Sequence, residues 1–231
     1  MRPATPGAGV VKALWAITFV LVAIGIAIVT RRVVNLFAPA PAPRNFPEAA
    51  ALDAGFARHA ALNLIHIVPA LVYIVLAPLQ FVRRIRRFRP AVHIWIGRVV
   101  LIAGGSVGVT AIAMSLQTAI GGANETAATL VFAVFFLFAL TRGYLCIRRG
   151  EVALHREWMI RAFAVGSAVT TTRPIVGAFF ATRALTHLTP REFFGTAFWL
   201  GFTIHLIAAE SWINYTRPGR LSERSGANTM E

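Results

Sequence analysis

The side chains best suited to chemistry are the histidines, arginines and one glutamine that lie on long apolar segments. Four of the six histidines lie within or at the ends of such segments: His66, His93, His155 and His205. Two imidazoles from different helices at one depth can ligate haem iron, and this needs no local motif. His93 and His155 each begin an apolar segment, so we expect them at one membrane face as axial ligands of a haem b. His66 and His205 form a second, less well matched pair of metal-ligating candidates.

Charged and polar residues accompany the first histidine pair. Arg98 and Arg161 follow the two candidate ligands by five and six residues, and a guanidinium pairs readily with a haem propionate. Glu210 has nearly the same expected depth as these arginines, and Gln80 ends the second apolar segment at the same face. Because an unpaired charge in lipid costs several kcal/mol, the alternative interpretation is a structural ion pair that joins two helices.

A second polar layer is expected nearer the opposite face. His66 and Asn63 lie in the first turns of the second apolar segment, and Arg173 lies about two-thirds along the fifth. Pro174 and Pro69 remove backbone donors from these segments. Helices interrupted in this way line cavities or are simply kinked, and both interpretations remain open.

The elements that carry these residues are long apolar stretches. The chain has 231 residues, of which 57% are hydrophobic and only 14% charged, with a mean hydropathy of +0.66. A soluble domain carries about 25% charged residues, so the pattern predicts an all-α integral membrane bundle of six transmembrane helices. The predicted spans are 13–30, 60–82, 93–116, 126–147, 157–181 and 194–213.

Arginine placement predicts the orientation. The net charge is +14, and arginines concentrate in the connections around 83–89 and 148–156 and after residue 216. The positive-inside rule places these segments in the cytoplasm together with both termini, in a cell inner (plasma) membrane. The same rule explains the basic balance without a nucleic-acid partner, since no nucleic-acid-binding motif is present.

The organisation predicted along the chain has three parts. Residues 1–58 hold a first helix, retained rather than cleaved, and a proline-rich connector; residues 59–214 form a five-helix membrane core; residues 215–231 form a disordered cytoplasmic tail. Cys146 is the single cysteine, which excludes an intrachain disulfide and a cysteine metal cage. Gly104 and Gly108 have the spacing of close helix contacts. We expect them to pack within the chain, with a homodimer as the alternative.

Three sequence blocks carry a family resemblance. PLQF at 78–81, HIWIGR at 93–98 and HREWMIRAFA at 155–164, followed by Arg173, resemble the uncharacterised membrane protein family named domain of unknown function 2306. The resemblance covers about residues 60–213, and Pro69-Ala70 departs from the glycine expected there. It implies a membrane protein without a settled activity, whose histidine-bearing helices are similar to the four-helix core of b-type membrane cytochromes.

Two functions compete at this point. The preferred hypothesis is a small b-type haem protein that passes electrons to or from quinone or a membrane redox partner. The alternative is a protein without haem whose arginines bind or transport an anionic solute or lipid, with Glu210 as a proton-linked partner. No HExxH, GxSxG or phosphate-binding glycine loop indicates an enzyme.

Overall fold

The computed structural model describes residues 7–38 and 57–217, and the regular structure in these ranges is helical. The remainder of the predicted proline-rich connector and the tail after residue 217 lie outside the described residues. The 3₁₀ helix Ala77–Phe81 directly continues the second α-helix. The α-helices are α1 Ala8–Phe37, α2 Ala60–Leu76, α3 Arg83–Phe88, α4 Pro90–Thr118, α5 Gly122–Arg148, α6 Val152–Ala181, α7 Arg183–Thr186 and α8 Pro190–Thr216.

Five segments of the described chain are long and apolar enough to cross a membrane: Ala8–Phe37, Ala60–Phe81, Pro90–Thr118, Gly122–Arg148 and Pro190–Thr216. The predicted sixth span corresponds to α6, which is equally long at 30 residues but is not one of the five. The physical reason is its position, because α6 packs against α1, α2, α5 and α8. A helix enclosed by other helices can carry polar residues that a lipid-facing helix cannot.

The polar residues of α6 are indeed turned inward. Thr170 and Thr172 are 2% and 0% exposed, and Ser167 is 1% exposed. Each hydroxyl donates a hydrogen bond to a carbonyl three residues earlier on the same helix. These internal bonds satisfy the hydroxyls without water. The polar residues lower the hydropathy of α6, but for this reason they cost little energy in the bundle.

Small residues bring the helices close together. A Cβ atom at Gly108 would lie 2.6 Å from Leu137 Cδ2, and one at Gly104 would lie 2.8 Å from Leu140 Cδ1. The two glycines of α4 therefore pack against α5 within the chain, as expected.

Tyr73 of α2 is the central packing residue. Its side chain is 2% exposed, its ring meets Phe136 edge to face at 5.5 Å, and its hydroxyl donates to the Ala162 carbonyl at 3.1 Å. A Cβ atom at Gly166 would lie 2.5 Å from the Tyr73 ring. Tyr73 thus fills the space between α2 and α6 near mid-bundle.

The proline within α2 is accommodated by a neighbouring helix. Pro69 has no amide hydrogen, so the Ile65 carbonyl loses its helical donor. The Ser106 hydroxyl of α4 donates to that carbonyl at 3.4 Å. A side chain from the adjacent helix thereby replaces the missing backbone bond.

Candidate functional site

Polar contacts divide the bundle into two ends. At the arginine-rich end, defined as the ends of α2, α5 and α8 with the starts of α4 and α6, Glu157 pairs with Arg217 and His155 with the Gly143 carbonyl. The exposed helix α3, RRIRRF, lies at this end. The opposite end, called the cavity end, contains the starts of α2, α5 and α8 and the last turns of α1, α4 and α6. The two predicted polar layers therefore form two separate sites.

A network of ion pairs fills the arginine-rich end. Arg161 donates to Glu210 through two nitrogens, at 2.5 and 2.9 Å, which confirms the structural ion pair considered from the sequence. Arg217 makes the same bidentate arrangement with Glu157, at 2.9 and 2.6 Å. Arg161 also lies 3.8 Å from Glu157. These contacts join α6 to α8 and commit both carboxylates to arginines.

The network has an electrostatic consequence outside the membrane segments. The hydrogen bonds to Glu157 raise the pKa of the Arg217 guanidinium above its ordinary value. Glu210, predicted as a proton-linked partner of a transported anion, instead has both oxygens engaged by Arg161. The carboxylates of Glu157 and Glu210 are both paired with arginines, so this network has the character of a structural clamp.

His93 is held by Gln80, which the sequence predicts at the same membrane face. With its amide nitrogen oriented toward the imidazole, Gln80 donates to His93 Nδ1 at 3.0 Å and to the His93 carbonyl at 3.2 Å, and it accepts from Gly97 N at 3.3 Å. An Nδ1 that accepts a hydrogen bond places the proton of the neutral ring on Nε2. Nε2 is the atom that would otherwise be available to iron, so this arrangement opposes ligation by His93.

His155 has the arrangement more typical of a metal ligand. Its Nδ1 donates to the Gly143 carbonyl at 2.8 Å, which leaves a lone pair on Nε2. Arg98 is exposed and lies over Trp95 at 4.8 Å, away from the Arg161 network. The haem site at His93 and His155 stays a prediction. In the described residues no group of three or more His, Cys, Asp or Glu side chains is placed to hold a metal ion.

The second predicted pair, His66 and His205, is not brought together. His205 lies between α8 and α6, with its two ring nitrogens 3.3 Å from Ser167 Oγ and 2.7 Å from Thr171 Oγ1. His66 instead meets Thr110 of α4 at 2.9 Å through Nδ1. Both imidazoles therefore bond to hydroxyls of different helices.

A cavity of about 220 Å³ occupies the cavity end, and all six long helices contribute to its wall. His66, Asn63 and Arg173 line it together, so these three residues of the predicted second polar layer reach one cavity. Pro174 directly follows Arg173 and leaves the Thr170 carbonyl without its helical donor. The proline-interrupted helices line a cavity here, as one of the two interpretations expected.

Arg173 is the least satisfied charge of this cavity. Its Nε atom is inaccessible and has no hydrogen-bond partner, and no described acidic residue forms an ion pair with it. Glu125 also lines the cavity and is 8% exposed, but its carboxylate accepts a hydrogen bond from Gly121 N at 2.6 Å. Glu125 is thus used to cap the start of α5, where the helix dipole favours a negative charge.

His66 presents an acceptor to the same cavity. The Thr110 hydroxyl donates to the Ser106 carbonyl at 2.6 Å, so it accepts from His66 Nδ1. The lone pair of the neutral ring then lies on Nε2. A cavity with the Arg173 donors and a histidine acceptor can bind an acid group in either protonation state.

The rest of the wall is apolar and aromatic. Buried phenylalanines of α5 and α8 form a large part of it, and α1 adds aliphatic side chains with Arg32 and Asn35 near its end. The phenylalanines are Phe132, Phe136, Phe194, Phe198 and Phe202. A ligand that fits this space needs both a polar head and a hydrocarbon or aromatic part.

Both ends fall within one family match. The model of the family described as predicted membrane protein (DUF2306) matches residues 63–213. The chain belongs to the DUF2306 family. This confirms the resemblance carried by the three sequence blocks. No curated protein and no solved structure matches the chain.

Several site residues of this DUF2306 chain were missed from the sequence. Glu125 follows Gly121 by four residues in a glycine turn, which is a signal for a helix start but not for a cavity. The position of Arg32 directly after the first predicted span does not indicate a cavity residue, and the sequence gives no sign that Glu157 and Arg217 form an ion pair. Their association depends on how α6 and α8 are rotated about their axes, which spacing along one helix does not reveal.

Proposed function

We propose that this chain is an inner-membrane protein that binds an anionic ligand, a solute or a lipid, in the cavity around Arg173. The observation that carries the proposal is a guanidinium enclosed by the bundle whose Nε has no hydrogen-bond partner and which forms no ion pair with an acidic residue of the described ranges. An ionisable residue inside a membrane bundle is costly to keep and is by default a functional-site hypothesis. An acid group in the cavity would supply the missing counter-charge.

The chemistry of the wall supports an acid as the ligand. Carboxylate, phosphate and sulfonate groups match the planar donor array of a guanidinium. His66 adds a ring nitrogen, and Asn63 is already bonded to the His59 carbonyl at 3.2 Å. Specific recognition at a few polar positions within an apolar wall is typical of small-ligand sites.

The proposal includes a topology of six crossings. α6 has the length of a span and packs against four of the five apolar segments, α1, α2, α5 and α8, so we count it as the sixth. The arginines of α3 and those at 148–149 would face the cytoplasm with both termini. The Arg173 cavity then lies in the outer half of the membrane.

The experiment is a thermal-stability assay on the detergent-purified chain with a panel of acids. The panel contains sulfate, phosphate, butyrate, decanoate and dioleoyl phosphatidate. We expect at least one acid to raise the midpoint of the wild type and of Arg98→Met but not of Arg173→Met. Arg98 is the matched control because it is an exposed arginine of another helix. No stabilisation by any acid, or equal stabilisation of Arg173→Met, would overturn the proposal.

A haem at His93 and His155, with electron exchange to quinone or a membrane redox partner, is a second proposal for the other end. The free Nε2 of His155 favours it, whereas the Gln80 bond to His93 opposes it. An absorption spectrum of the chain purified from haem-replete cells tests it directly. A Soret band lost in His155→Ala would support the proposal, and a colourless protein would exclude it.

A further inference from the structure

We infer that the occupant of the Arg173 cavity is an acidic amphiphile with a single chain, and that it enters sideways from the bilayer by displacing α1. This inference rests on the proposed function and adds the ligand class and the route of entry. It is carried by the size and wall of the cavity and by the way α1 is attached to the bundle.

Cavity size limits the ligand to one chain. At about 220 Å³ the cavity lies below the range of roughly 300–1,000 Å³ typical of drug-sized ligand pockets. One acid group facing Arg173 with one aliphatic or aromatic tail against the phenylalanines uses both parts of the wall. A lipid with two acyl chains would leave a chain outside the cavity.

Helix α1 is the wall with the weakest attachment. In its most apolar 18-residue window only 6% of residues are buried, compared with 22–39% for the other four apolar segments. The buried residues of α1 are Gly25 and Val29, and both line the cavity. The contact of α1 with the bundle is thus concentrated where the ligand would lie.

Displacement of α1 has a low energetic cost in lipid. Helices in a membrane gain little from the hydrophobic effect when they associate, since lipid chains are as apolar as their side chains. Phe19 and Val20 of α1 are already 66% and 58% exposed, so a shift of the helix changes little for them. What is lost is the close packing of Gly25, where a Cβ atom would lie 3.2 Å from Ile74 Cγ1 and 3.3 Å from Thr170 Cγ2.

Helix α1 also differs from the other walls in its family relation. The matched family region begins at residue 63, after α1, and so contains the helices that carry Arg173, His66 and the phenylalanines. Arg173, His66 and the phenylalanines of the acid site therefore lie within the matched region, whereas α1 lies before it.

The test locks α1 with a disulfide. In a Cys146→Ala background reconstituted in nanodiscs, Gly25→Cys and Ile74→Cys would link α1 to α2. The probe is radiolabelled decanoate, and its release is measured with the disulfide formed and after reduction by dithiothreitol. We expect release to slow at least tenfold in the oxidised protein and to recover on reduction.

A matched disulfide distinguishes locking from general stiffening. Gly104→Cys with Leu140→Cys would link α4 to α5 at positions outside the cavity wall, and we expect unchanged release. If the α1–α2 variant does not fold, Gly25→Cys with Thr170→Cys links α1 to α6 instead. Equal release from oxidised and reduced protein, or an equal slowing by the control disulfide, would overturn the lateral route.

The relative affinities of decanoate, butyrate and dioleoyl phosphatidate test the proposed ligand class. Decanoate bound more tightly than butyrate and than dioleoyl phosphatidate supports a single-chain amphiphile, and equal or tighter binding of either comparison acid overturns it. A failure of the proposed function is distinguishable from these results, because no acid would then bind to either redox state of any variant.

Discussion

Each end of the bundle contains one arginine of α6, and the two arginines have opposite surroundings. Arg161 and Arg173 are twelve residues apart on α6, which separates them by about 18 Å along the axis. Arg161 donates to Glu210 through Nε and Nη2 and lies over Trp158 at 4.8 Å. Arg173 has no such partner among the described residues.

The difference shows how structural and ligand-binding charges can be distinguished. A charge that stabilises the fold is expected to have its counter-charge in the protein, because removal from water is otherwise uncompensated. A charge kept for a ligand leaves part of that compensation to the ligand, at some cost to the free protein. The comparison therefore makes opposite predictions for the two arginines.

The largest expected effect is the loss of acid binding in Arg173→Met. Removing one member of a desolvated charge pair typically costs several kcal/mol, so we expect affinity for the bound acid to fall about a hundredfold. Because Arg173 Nε is unbonded and the guanidinium forms no ion pair with a described acidic residue, the ligand-free stability should stay the same or rise. Isothermal titration and thermal unfolding of the same preparations measure both quantities.

Arg173→Lys is the control for this prediction. It keeps the charge but loses the planar donor array, so it should bind acids with intermediate affinity. A clear fall in the thermal midpoint of ligand-free Arg173→Met would contradict the comparison, because Arg173 would then stabilise the fold as Arg161 does.

The next effect is a loss of stability in Arg161→Met. Breaking a fully buried ion pair costs about 3–5 kcal/mol, but the Glu210 side chain is 44% exposed. We therefore expect a smaller decrease, about 2 kcal/mol in the free energy of unfolding. Unfolding in mixed detergent micelles measures it, and a double-mutant cycle with Glu210→Gln isolates the coupling between the two side chains.

Arg98→Met is the matched control at the same end. Its guanidinium lies over Trp95 on the exposed surface, so we expect a loss of about 0.5–1 kcal/mol. If Arg98→Met were as destabilising as Arg161→Met, the ion-pair network would not account for the stability of this end.

Depth was predictable from the sequence, whereas the direction of side chains was not. A rise of about 1.5 Å per residue fixes the level of a residue once a span is placed. This is why Arg161 pairs with Glu210, and why Arg173 lines the same cavity as His66. Arg98 shares the expected level of Arg161 but faces outward. The rotation of each helix depends on packing such as Gly104 against Leu140, which no single segment specifies.

The polarity of α6 shows the same limit for the fold. Its length predicted a span, yet its threonines and charges keep it outside the five apolar segments. Those residues are tolerated because neighbouring helices enclose them. Whether a polar helix is enclosed is a property of the assembled bundle, so local hydropathy understates its role.

A third effect tests the region between the two ends. In Gly166→Ala the new Cβ atom would lie 2.5 Å from the Tyr73 ring, and overpacking of a close contact costs about 1–3 kcal/mol. We expect a loss near the lower limit of this range, with acid affinity also reduced because Gly166 and Tyr73 both line the cavity. Gly177→Ala is the control, since a Cβ atom there has nothing within 4 Å. Equal unfolding free energies for the two variants would contradict the packing role assigned to Tyr73.

The smallest effect is expected for Tyr73→Phe, which keeps the ring and removes the hydroxyl. The hydroxyl donates to the Ala162 carbonyl, next to Arg161 in the chain. Interhelical hydrogen bonds in membranes contribute about 0.6 kcal/mol on average, so the loss in unfolding free energy should be of that size. Acid affinity should be unchanged, because the hydroxyl is already bonded to α6 and is not offered to the cavity. A large fall in acid affinity with little change in unfolding free energy would instead show that the Tyr73 hydroxyl contacts the ligand. The binding site would then extend from the cavity end to the middle of the bundle.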